Sequence, residues 1–322
     1  MIKRLLAGLA AALFAAAAAA QDYPTHTISI VVPFAAGGPT DTVTRLVAQS
    51  MTKTLGQTVI VENVAGAGGT IGVEKVAKAK PDGYTLLLMH IGISTSPSLY
   101  RNLRYDPTKE LDPVGLVTNV PMTVIANKDF PPKDMRELIA YVKANKDKVT
   151  YANAGVGAAS HLCGMLLLTA IGTDVTTVPY KGTGPAMTDL IGGQVNFMCD
   201  QTTNTTPQIK GGKVKAYAVT TKARLKSLPE VPTADEAGLK NFEVTVWHGI
   251  WAPHGTPKPV MDKLVAALQT ALKDPSVVSK FADLGTEPVP LNLATPAALD
   301  AHLKSEIAKW APIIKKAGVY AD

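Results

Sequence analysis

Cysteine is scarce in this sequence: Cys163 and Cys199 are the only two among 322 residues. No CxxC pair and no cysteine–histidine cluster is present, so nothing in the sequence indicates a metal site. We expect neither a metal nor a cofactor. Both cysteines lie in apolar surroundings, and their spacing leaves two alternatives open: one disulfide or two buried free thiols.

Clustered positive charge is also lacking. The chain has 32 basic and 26 acidic residues, a formal net charge of +6, and its lysines are scattered. There is no basic tail and no stripe of basic and aromatic residues, so we expect no nucleic-acid partner. The mild positive charge favours the approach of anions only weakly at physiological salt.

The motifs of nucleotide-binding proteins and of common hydrolases are absent from the sequence. No glycine precedes Lys-Ser or Lys-Thr in the Walker A frame, and a Rossmann fingerprint requires glycine at the position of Ile71. Neither the G-x-S-x-G nucleophile elbow nor H-E-x-x-H occurs. We therefore expect a binding protein rather than an enzyme.

Long hydrophobic runs are confined to the beginning of the chain. Lys3 and Arg4 precede an apolar run over residues 5–20, and Ala18 and Ala20 occupy the small positions of a cleavage site. This pattern predicts a secretory signal peptide over residues 1–20 that is cleaved on export to the periplasm. A membrane anchor is the alternative, but the run is short and rich in alanine. We expect the mature protein to be soluble.

About 300 residues remain after cleavage, more than one hydrophobic core usually serves, so two domains are expected. Short apolar runs, such as residues 84–90, alternate with stretches of helical periodicity, such as residues 41–55. This alternation predicts an α/β fold with mainly parallel sheets covered by helices.

No Gly/Ser-rich linker divides the chain. Two strand-like runs, around residues 120–124 and 244–247, are instead expected to carry the chain to a second lobe and back. The prediction assigns residues 21–122 and 245–322 to lobe 1, and residues 123–244 to lobe 2. Two crossings restrict the relative motion of the lobes to a hinge, which suits closure around a ligand.

Two junctions between a strand and a helix are rich in small residues and form the candidate site. A helix start exposes unpaired N–H groups and the positive end of the helix dipole, and small residues let an anion reach the backbone. In open α/β sheets, such loops lie at the carboxyl ends of strands, where ligands bind. The candidates are Phe34, Ala35, Ala36, Gly37, Gly38 and Thr40 in the first loop, and Ala154, Gly155, Val156, Gly157, Ala158, Ser160 and His161 in the second.

Each candidate loop also has a purely structural interpretation. Small residues permit tight turns, and Thr40, Asp41 and Ser160 are suited to capping a helix. His161 is either a donor to a carboxylate or a histidine satisfied at a helix start. A third small-residue segment, residues 65–70, is interpreted as mainly structural.

Several longer segments resemble one protein family along nearly the whole mature chain, in the family's order. They include VPFAAGGPTDTVTRLVA, NVAGAGGTIGVEKVAKAKPDGYTLL, YANAGVGAASHL, VPYKGTGPAMTDLIGGQV and KAYAVTTKARLKSLPEVPTADEAGL. The sequence is similar to the Bug receptors, the extracytoplasmic binding subunits of tripartite tricarboxylate transporters. The resemblance implies a type II periplasmic-binding-protein fold with two lobes and a two-strand hinge crossover. It also implies a membrane transporter as partner, and a ligand carboxylate gripped by backbone N–H groups and bridging water at residues 34–41 and 154–161.

The segment that follows the strand at residues 84–90 departs from the usual pattern of that family. His90 and Ser94 are expected at the carboxyl end of the strand, facing the cleft beside apolar residues. A histidine and hydroxyl groups at the far end of the cleft suit a flat ligand with a second acid group. The segment thus looks like that of the terephthalate-binding members of the family. The alternative is an aliphatic dicarboxylate, with His90 bonded to a backbone carbonyl.

Asp200 and Gln201 follow another buried strand. The resemblance places an aspartate at this point, where it either binds the amino group of an amino-acid ligand or accepts backbone hydrogen bonds near the hinge. An ionised Asp200 in contact with the ligand would disfavour a second carboxylate nearby.

The sequence thus predicts a monomeric solute-binding protein that captures a small organic carboxylate when its two lobes close. The closed form is expected to dock on the membrane components of a tripartite transporter. A sensor that signals to a membrane kinase is the alternative, and turnover of the ligand would instead indicate an enzyme.

Overall fold

The computed structural model describes residues 23–321, so the predicted signal peptide over residues 1–20 lies outside the described residues. Within the described range, no helix is long and apolar enough to cross a membrane. The strands are β1 (Ile28–Val32), β2 (Val59–Asn63), β3 (Thr85–His90), β4 (Leu111–Asn127), β5 (Thr150–Asn153), β6 (Thr176–Pro179), β7 (Phe197–Gln201), β8 (Val214–Val219) and β9 (Thr245–Pro253).

Helices separate most of these strands along the chain, which confirms the predicted α/β alternation. They are α1 (Pro39–Leu55), α2 (Thr70–Ala77), α3 (Gly92–Leu99), α4 (Met135–Ala144), α5 (Ala159–Ile171), α6 (Thr183–Ile191), α7 (Thr202–Lys210), α8 (Lys258–Ala271), α9 (Pro275–Asp283) and α10 (Pro296–Ala317). A short 3₁₀ turn over Ala67–Gly69 leads into α2.

One mixed sheet runs through the molecule in the order β2-β1-β3-β9-β4-β7-β5-β6, and β8 also pairs with β4. Pairing is parallel between β1 and its neighbours β2 and β3, and between β5 and its neighbours β6 and β7. All pairings of β4 and β9 are antiparallel, because these strands carry the chain in opposite directions across the middle of the sheet. We call β2, β1, β3 and β9 the first half, and β7, β5, β6 and β8 the second half.

Strand β4 belongs to both halves. It pairs with β9 from Leu111 to Pro121, and with β7 and β8 from Met122 to Asn127. The change of partners at Pro121 and Met122 makes β4 a strand that connects the halves.

Helix α1 shows how the sequence positions the first candidate loop. Val43, Val47 and Met51 are fully buried and recur every four residues, which fixes one face of the helix on the sheet. The helix begins with Pro39, whose fixed φ suits the first helical position. Its start therefore lies directly after β1, at the carboxyl end of a central parallel strand.

Of the two alternatives for the cysteines, the structure contains the disulfide. Cys163 in α5 is bonded to Cys199 in β7, and both residues are fully buried. The bond joins the helix that follows the second candidate loop to the strand that leads into Asp200.

Candidate functional site

A narrow cavity lies where the carboxyl ends of β1, β3, β5 and β7 meet the starts of α1 and α5. The centre of a water molecule has only about 10 Å³ of free space inside it. The cavity is lined by Phe34, Ala35, Gly38, Pro39, Thr40, Asp41, His90, Ala154, Ala158, Ala159, Ser160, Thr183, Asp200 and Gln201. None of these described residues is a lysine or an arginine, and two of them, Asp41 and Asp200, are acidic, so the donors that the cavity offers an anion are neutral ones.

The first loop is shaped by the carboxylate of Asp41. Its Oδ2 accepts hydrogen bonds from the backbone N–H of Gly37, at 3.0 Å, and from Nε of Arg45, at 2.9 Å, and its Oδ1 accepts one from Nδ2 of Asn63, at 3.0 Å. Burial acts to raise the pKa of Asp41, but these hydrogen bonds outweigh it and lower the pKa below its ordinary value. Asp41 therefore holds the loop in place as an ionised group within the first turn of the helix. The residue at the cap position is Gly38, which has no side chain to accept a bond.

Several backbone N–H groups of the second loop donate hydrogen bonds to acceptors within the same loop. The backbone N–H of Ala154 donates to Oγ of Ser160, at 2.9 Å, and that of Gly155 donates to Oδ1 of Asn153, at 2.8 Å. The N–H of Gly157 donates to Nδ1 of His161, at 3.3 Å, and burial lowers the pKa of this histidine. These three amides are therefore engaged within the loop.

Residues from the first turns of α1 and α5 also line the cavity. The first N–H groups of any helix have no acceptor within that helix. Thr40 in α1, and Ala159 and Ser160 in α5, are such first-turn residues, and all three line the cavity. Two helix starts, one from each half of the sheet, thus converge on one small space.

Two buried histidines form the wall behind Thr40. His90 stacks on the ring of Phe34 with centroids 4.8 Å apart, and meets His248 edge-on at 5.9 Å. Nε2 of His248 lies 3.4 Å from the hydroxyl oxygen of Thr40. Burial lowers the pKa of His90 to about 3 and that of His248 well below its ordinary value, so both rings are neutral at physiological pH.

Asp200 is the acidic group on the opposite wall. Only 1% of its surface is exposed. Burial raises its pKa to about 6, although hydrogen bonds from Nδ2 of Asn204, at 2.6 Å, and from the backbone of Gln201 favour the ionised form. The carboxyl group is therefore held by an amide side chain and carries a charge that is costly to bury.

The structure brings most of the predicted candidates to the cavity but places others elsewhere. Those that line the cavity are Phe34, Ala35, Gly38, Thr40, His90, Ala154, Ala158, Ser160, Asp200 and Gln201. Ala36 and Gly37 line a neighbouring groove with Gly184, and Gly155 and Val156 line another with residues 66–69. His161 and Gly157 bond to each other in the second loop. Ser94 is fully buried within α3, where its hydroxyl donates to the carbonyl of Ile91 at 2.6 Å.

Two residues at this site, Thr183 and His248, lie outside the predicted ranges 34–41 and 154–161 and outside the other predicted candidates. Pro39, Asp41 and Ala159 lie inside those ranges, where Asp41 was expected to cap its helix. Thr183 and His248 arrive from other parts of the chain, and no local pattern marks them.

Comparison with known proteins places this site in a family context. The model of the tripartite tricarboxylate transporter family receptor matches residues 43–319. A protein of Agrobacterium vitis, described as a UPF0065 protein from the ttuE–ttuC′ intergenic region, is 59% identical over 302 residues, 94% of this chain and 87% of the relative.

Two solved structures are similar in sequence and in fold. The periplasmic binding protein BugD is 58% identical with a TM-score of 0.91, covering 93% of this chain and 100% of BugD. MatC from Rhodopseudomonas palustris, solved with bound malate, is 43% identical with a TM-score of 0.87, covering 91% of this chain and 100% of MatC. These findings confirm the predicted resemblance to Bug receptors and the α/β periplasmic-binding-protein fold.

Proposed function

The chain belongs to the tripartite tricarboxylate transporter family of receptors, and we propose that it is an extracytoplasmic solute-binding protein for a small organic carboxylate. The observation that carries the proposal is the convergence of two helix starts, those of α1 and α5, on one cavity that lacks a basic side chain. Neutral N–H donors at two helix N-termini solvate a carboxylate without a paired arginine.

Capture proceeds by closure of two lobes. We propose lobe 1 as residues 21–122 and 245–322, and lobe 2 as residues 123–244. The change of partners along β4, from β9 at Pro121 to β7 and β8 at Met122, supports this boundary. Because the cavity lies between the two halves of the sheet, the ligand enters an open form and the lobes then close over it.

The ligand class that we favour is a short aliphatic dicarboxylate. The narrow cavity and the bound malate of the MatC structure support this choice. Terephthalate is the alternative, supported by the flat wall that Phe34 and His90 form at a ring separation of 4.8 Å. In either case the first acid group meets the helix starts, and the second approaches the wall of histidines.

We propose that residues 1–20 direct export to the periplasm and are then cleaved, and that the mature monomer delivers its ligand to the membrane components of a tripartite transporter. A sensor for a membrane kinase would use the same closure. Uptake of labelled ligand by cells that lack this gene separates the two: lost uptake supports transport, and unchanged uptake favours the sensor. Recovery of unaltered ligand after long incubation with the purified protein would eliminate an enzyme.

A thermal-shift panel followed by calorimetry tests the binding proposal. Aliphatic and aromatic mono- and dicarboxylates are added separately, and a true ligand raises the melting temperature because it binds only the folded state. Thr40→Val removes the hydroxyl at the start of α1 and should weaken the best ligand about tenfold. Thr270→Val is the matched control: it removes a threonine hydroxyl that donates to the carbonyl of Ala266 at an exposed position of α8, and it should bind like the wild type. A panel in which no carboxylate shifts the melting temperature would overturn the proposal.

A further inference from the structure

Backbone atoms of the two halves touch directly beside the cavity, at positions occupied by glycine. The backbone N–H of Ala35, after β1, donates to the carbonyl of Lys181, after β6, at 2.8 Å. A Cβ atom on Gly182 would lie 2.9 Å from the nitrogen of Ala35, and one on Gly184 would lie 2.7 Å from the oxygen of Ala36. We call Gly68, Gly182 and Gly184 the glycine seam.

Gly68 makes the tightest approach of the three. A Cβ atom there would overlap the carbonyl oxygen of Val156, a backbone atom that cannot rotate away, and would lie 2.6 Å from the hydroxyl of Tyr100. Real Cβ atoms do not tolerate such distances, so an alanine at Gly68 must push the two loops apart. Relief of the overlap requires a displacement of about one C–C bond, roughly 1.5 Å.

The strand order shows that this contact exists only when the halves fold together. Gly68 follows β2 and Val156 follows β5, and these strands are six positions apart in the sheet. In a flat sheet, six intervals would separate them by roughly 29 Å. The seam therefore brings together loops from strands that lie far apart in the sheet.

The hydroxyl group of Tyr100 contacts backbone carbonyls on both sides of the seam. Oη of Tyr100 lies 2.7 Å from the carbonyl oxygen of Ala67 and 2.8 Å from that of Val156, one in each half. Burial raises the pKa of Tyr100 to about 12, so the hydroxyl keeps the proton that it donates. The bond to Val156 is available only in the closed form.

The seam borders the cavity directly. Phe34 and Ala154 line both the cavity and the groove formed by residues 66–69, Tyr100 and Val156. A Cβ on Gly69 would lie 3.1 Å from the ring of Phe34, so the seam also backs the aromatic wall. The distance between the loops that meet at the seam therefore sets the space between the two helix starts.

We propose that the glycine seam determines ligand specificity by fixing how far the lobes close, and thereby the length of the dicarboxylate that the cavity accepts. This inference rests on the proposed carboxylate-binding function. A displacement of about one C–C bond at Gly68 corresponds to about one additional carbon in the ligand chain. The seam residues do not touch the ligand; they position the groups that do.

Calorimetry with succinate, glutarate and adipate tests the proposal on wild type and Gly68→Ala. We expect the variant to lose at least tenfold in affinity for the acid that the wild type prefers, and to prefer an acid one carbon longer. Gly56→Ala is the matched control, because Gly56 has a similar φ of 68° but no atom within 4 Å of the added Cβ. It carries the backbone strain without the collision and should keep the wild-type preference.

A second pair of variants keeps the test decisive if Gly68→Ala does not fold. Gly184 lies in the first turn of α6 without a positive φ, so Gly184→Ala collides with Ala36 only in the closed form. Gly192, at the other end of α6, has only ordinary contacts, and Gly192→Ala is its control.

The possible outcomes separate the seam from the function on which it rests. A shift of preference towards longer acids in Gly68→Ala or Gly184→Ala, absent from both controls, supports the proposal. An unchanged order of preference in folded seam variants overturns it, whether or not affinity falls. A wild type that binds an aromatic acid but none of these three acids overturns the seam proposal and leaves the proposed function standing. A wild type that binds no carboxylate of the thermal-shift panel overturns both.

Discussion

Nδ1 of His90 accepts a hydrogen bond from the backbone N–H of Gly92 across 3.0 Å. In a neutral imidazole, one nitrogen carries the proton and the other accepts, so this bond assigns the proton of His90 to Nε2. Because burial lowers the pKa of His90 to about 3, the ring stays neutral at physiological pH. His90 thus offers the cavity an N–H donor without a positive charge.

Replacement of His90 by alanine should weaken a dicarboxylate more than the matching monocarboxylate. The lost hydrogen bond to a charged group is worth about 1.5 to 3 kcal/mol, so the dicarboxylate should lose about tenfold or more in affinity. Isothermal titration of both ligands checks this. His26→Ala removes an exposed histidine that stacks on Tyr84, and it should change neither affinity. Equal losses for the two acids would remove His90 from the site.

Periodicity made most of the elements predictable. The run over residues 84–90 is observed as Thr85–His90, and the periodic stretch over residues 41–55 as Pro39–Leu55. Helix α7 gives no such signal, because its buried residues are threonines and an asparagine, which show no apolar period. Thr205 in this helix is fully buried, and its hydroxyl oxygen accepts a hydrogen bond from the hydroxyl of Thr123 in β4, at 2.8 Å, a partner that only the tertiary structure reveals.

The candidate site was predictable to the level of the loops but not of single donors. Small residues before a helix indicate an exposed helix start, and both predicted starts do line the cavity. The sequence does not show which amides a loop uses internally, as Ala154 does with Ser160. Nor does it show that His248, 208 residues after Thr40, lies within reach of the Thr40 hydroxyl.

Asp200→Asn should change how stability depends on pH. The folded-state pKa of Asp200 is raised to about 6 from an ordinary 3.8, so between these values the folded chain holds a proton that the unfolded chain has released. This contribution to stability is therefore lost as the pH rises through 6. Between pH 4 and pH 7.5, Asp200→Asn should gain about 2 kcal/mol in free energy of unfolding relative to the wild type.

Urea unfolding of both proteins at the two pH values measures this difference. The comparison with the wild type cancels other groups, including His90, whose lowered pKa makes stability rise with pH between about 3 and 6.5. Asp147→Asn alters an exposed aspartate and should follow the wild type. A constant offset between Asp200→Asn and wild type at both pH values would contradict the prediction.

Removal of the disulfide should destabilise the chain. The bond between Cys163 and Cys199 closes a loop of 36 residues, for which chain entropy predicts a loss of about 4 kcal/mol in the Cys163→Ala/Cys199→Ala variant. Urea unfolding measures the loss.

The disulfide should also be protected in the native wild-type protein. Because both cysteines are fully buried, treatment with dithiothreitol followed by an alkylating agent should label them in urea but not in native buffer. Rapid labelling of the native protein would contradict this.

Glu306 of α10 should stabilise the packing of this helix on β9 through buried hydrogen bonds. Its Oε2 accepts hydrogen bonds from the indole N–H of Trp247, at 3.2 Å, and of Trp310, at 3.0 Å, and its Oε1 accepts one from Nζ of Lys309. Burial acts to raise the pKa of Glu306, but the bonds from Lys309 and the indoles outweigh it and lower the pKa. The carboxylate therefore remains ionised where Trp247 precedes His248 of the site wall.

The substitution Glu306→Leu leaves two buried indole N–H groups without an acceptor, and we expect a loss of about 3 kcal/mol in free energy of unfolding. Glu306→Gln keeps a carbonyl oxygen as acceptor and should lose less than half as much. Urea unfolding followed by tryptophan fluorescence reports both the stability and the environment of the indoles. Glu230→Leu, at an exposed position, is the control and should stay within about 0.5 kcal/mol of the wild type. Equal losses for Gln and Leu at Glu306 would show that its charge, rather than its acceptor oxygens, holds the two elements together.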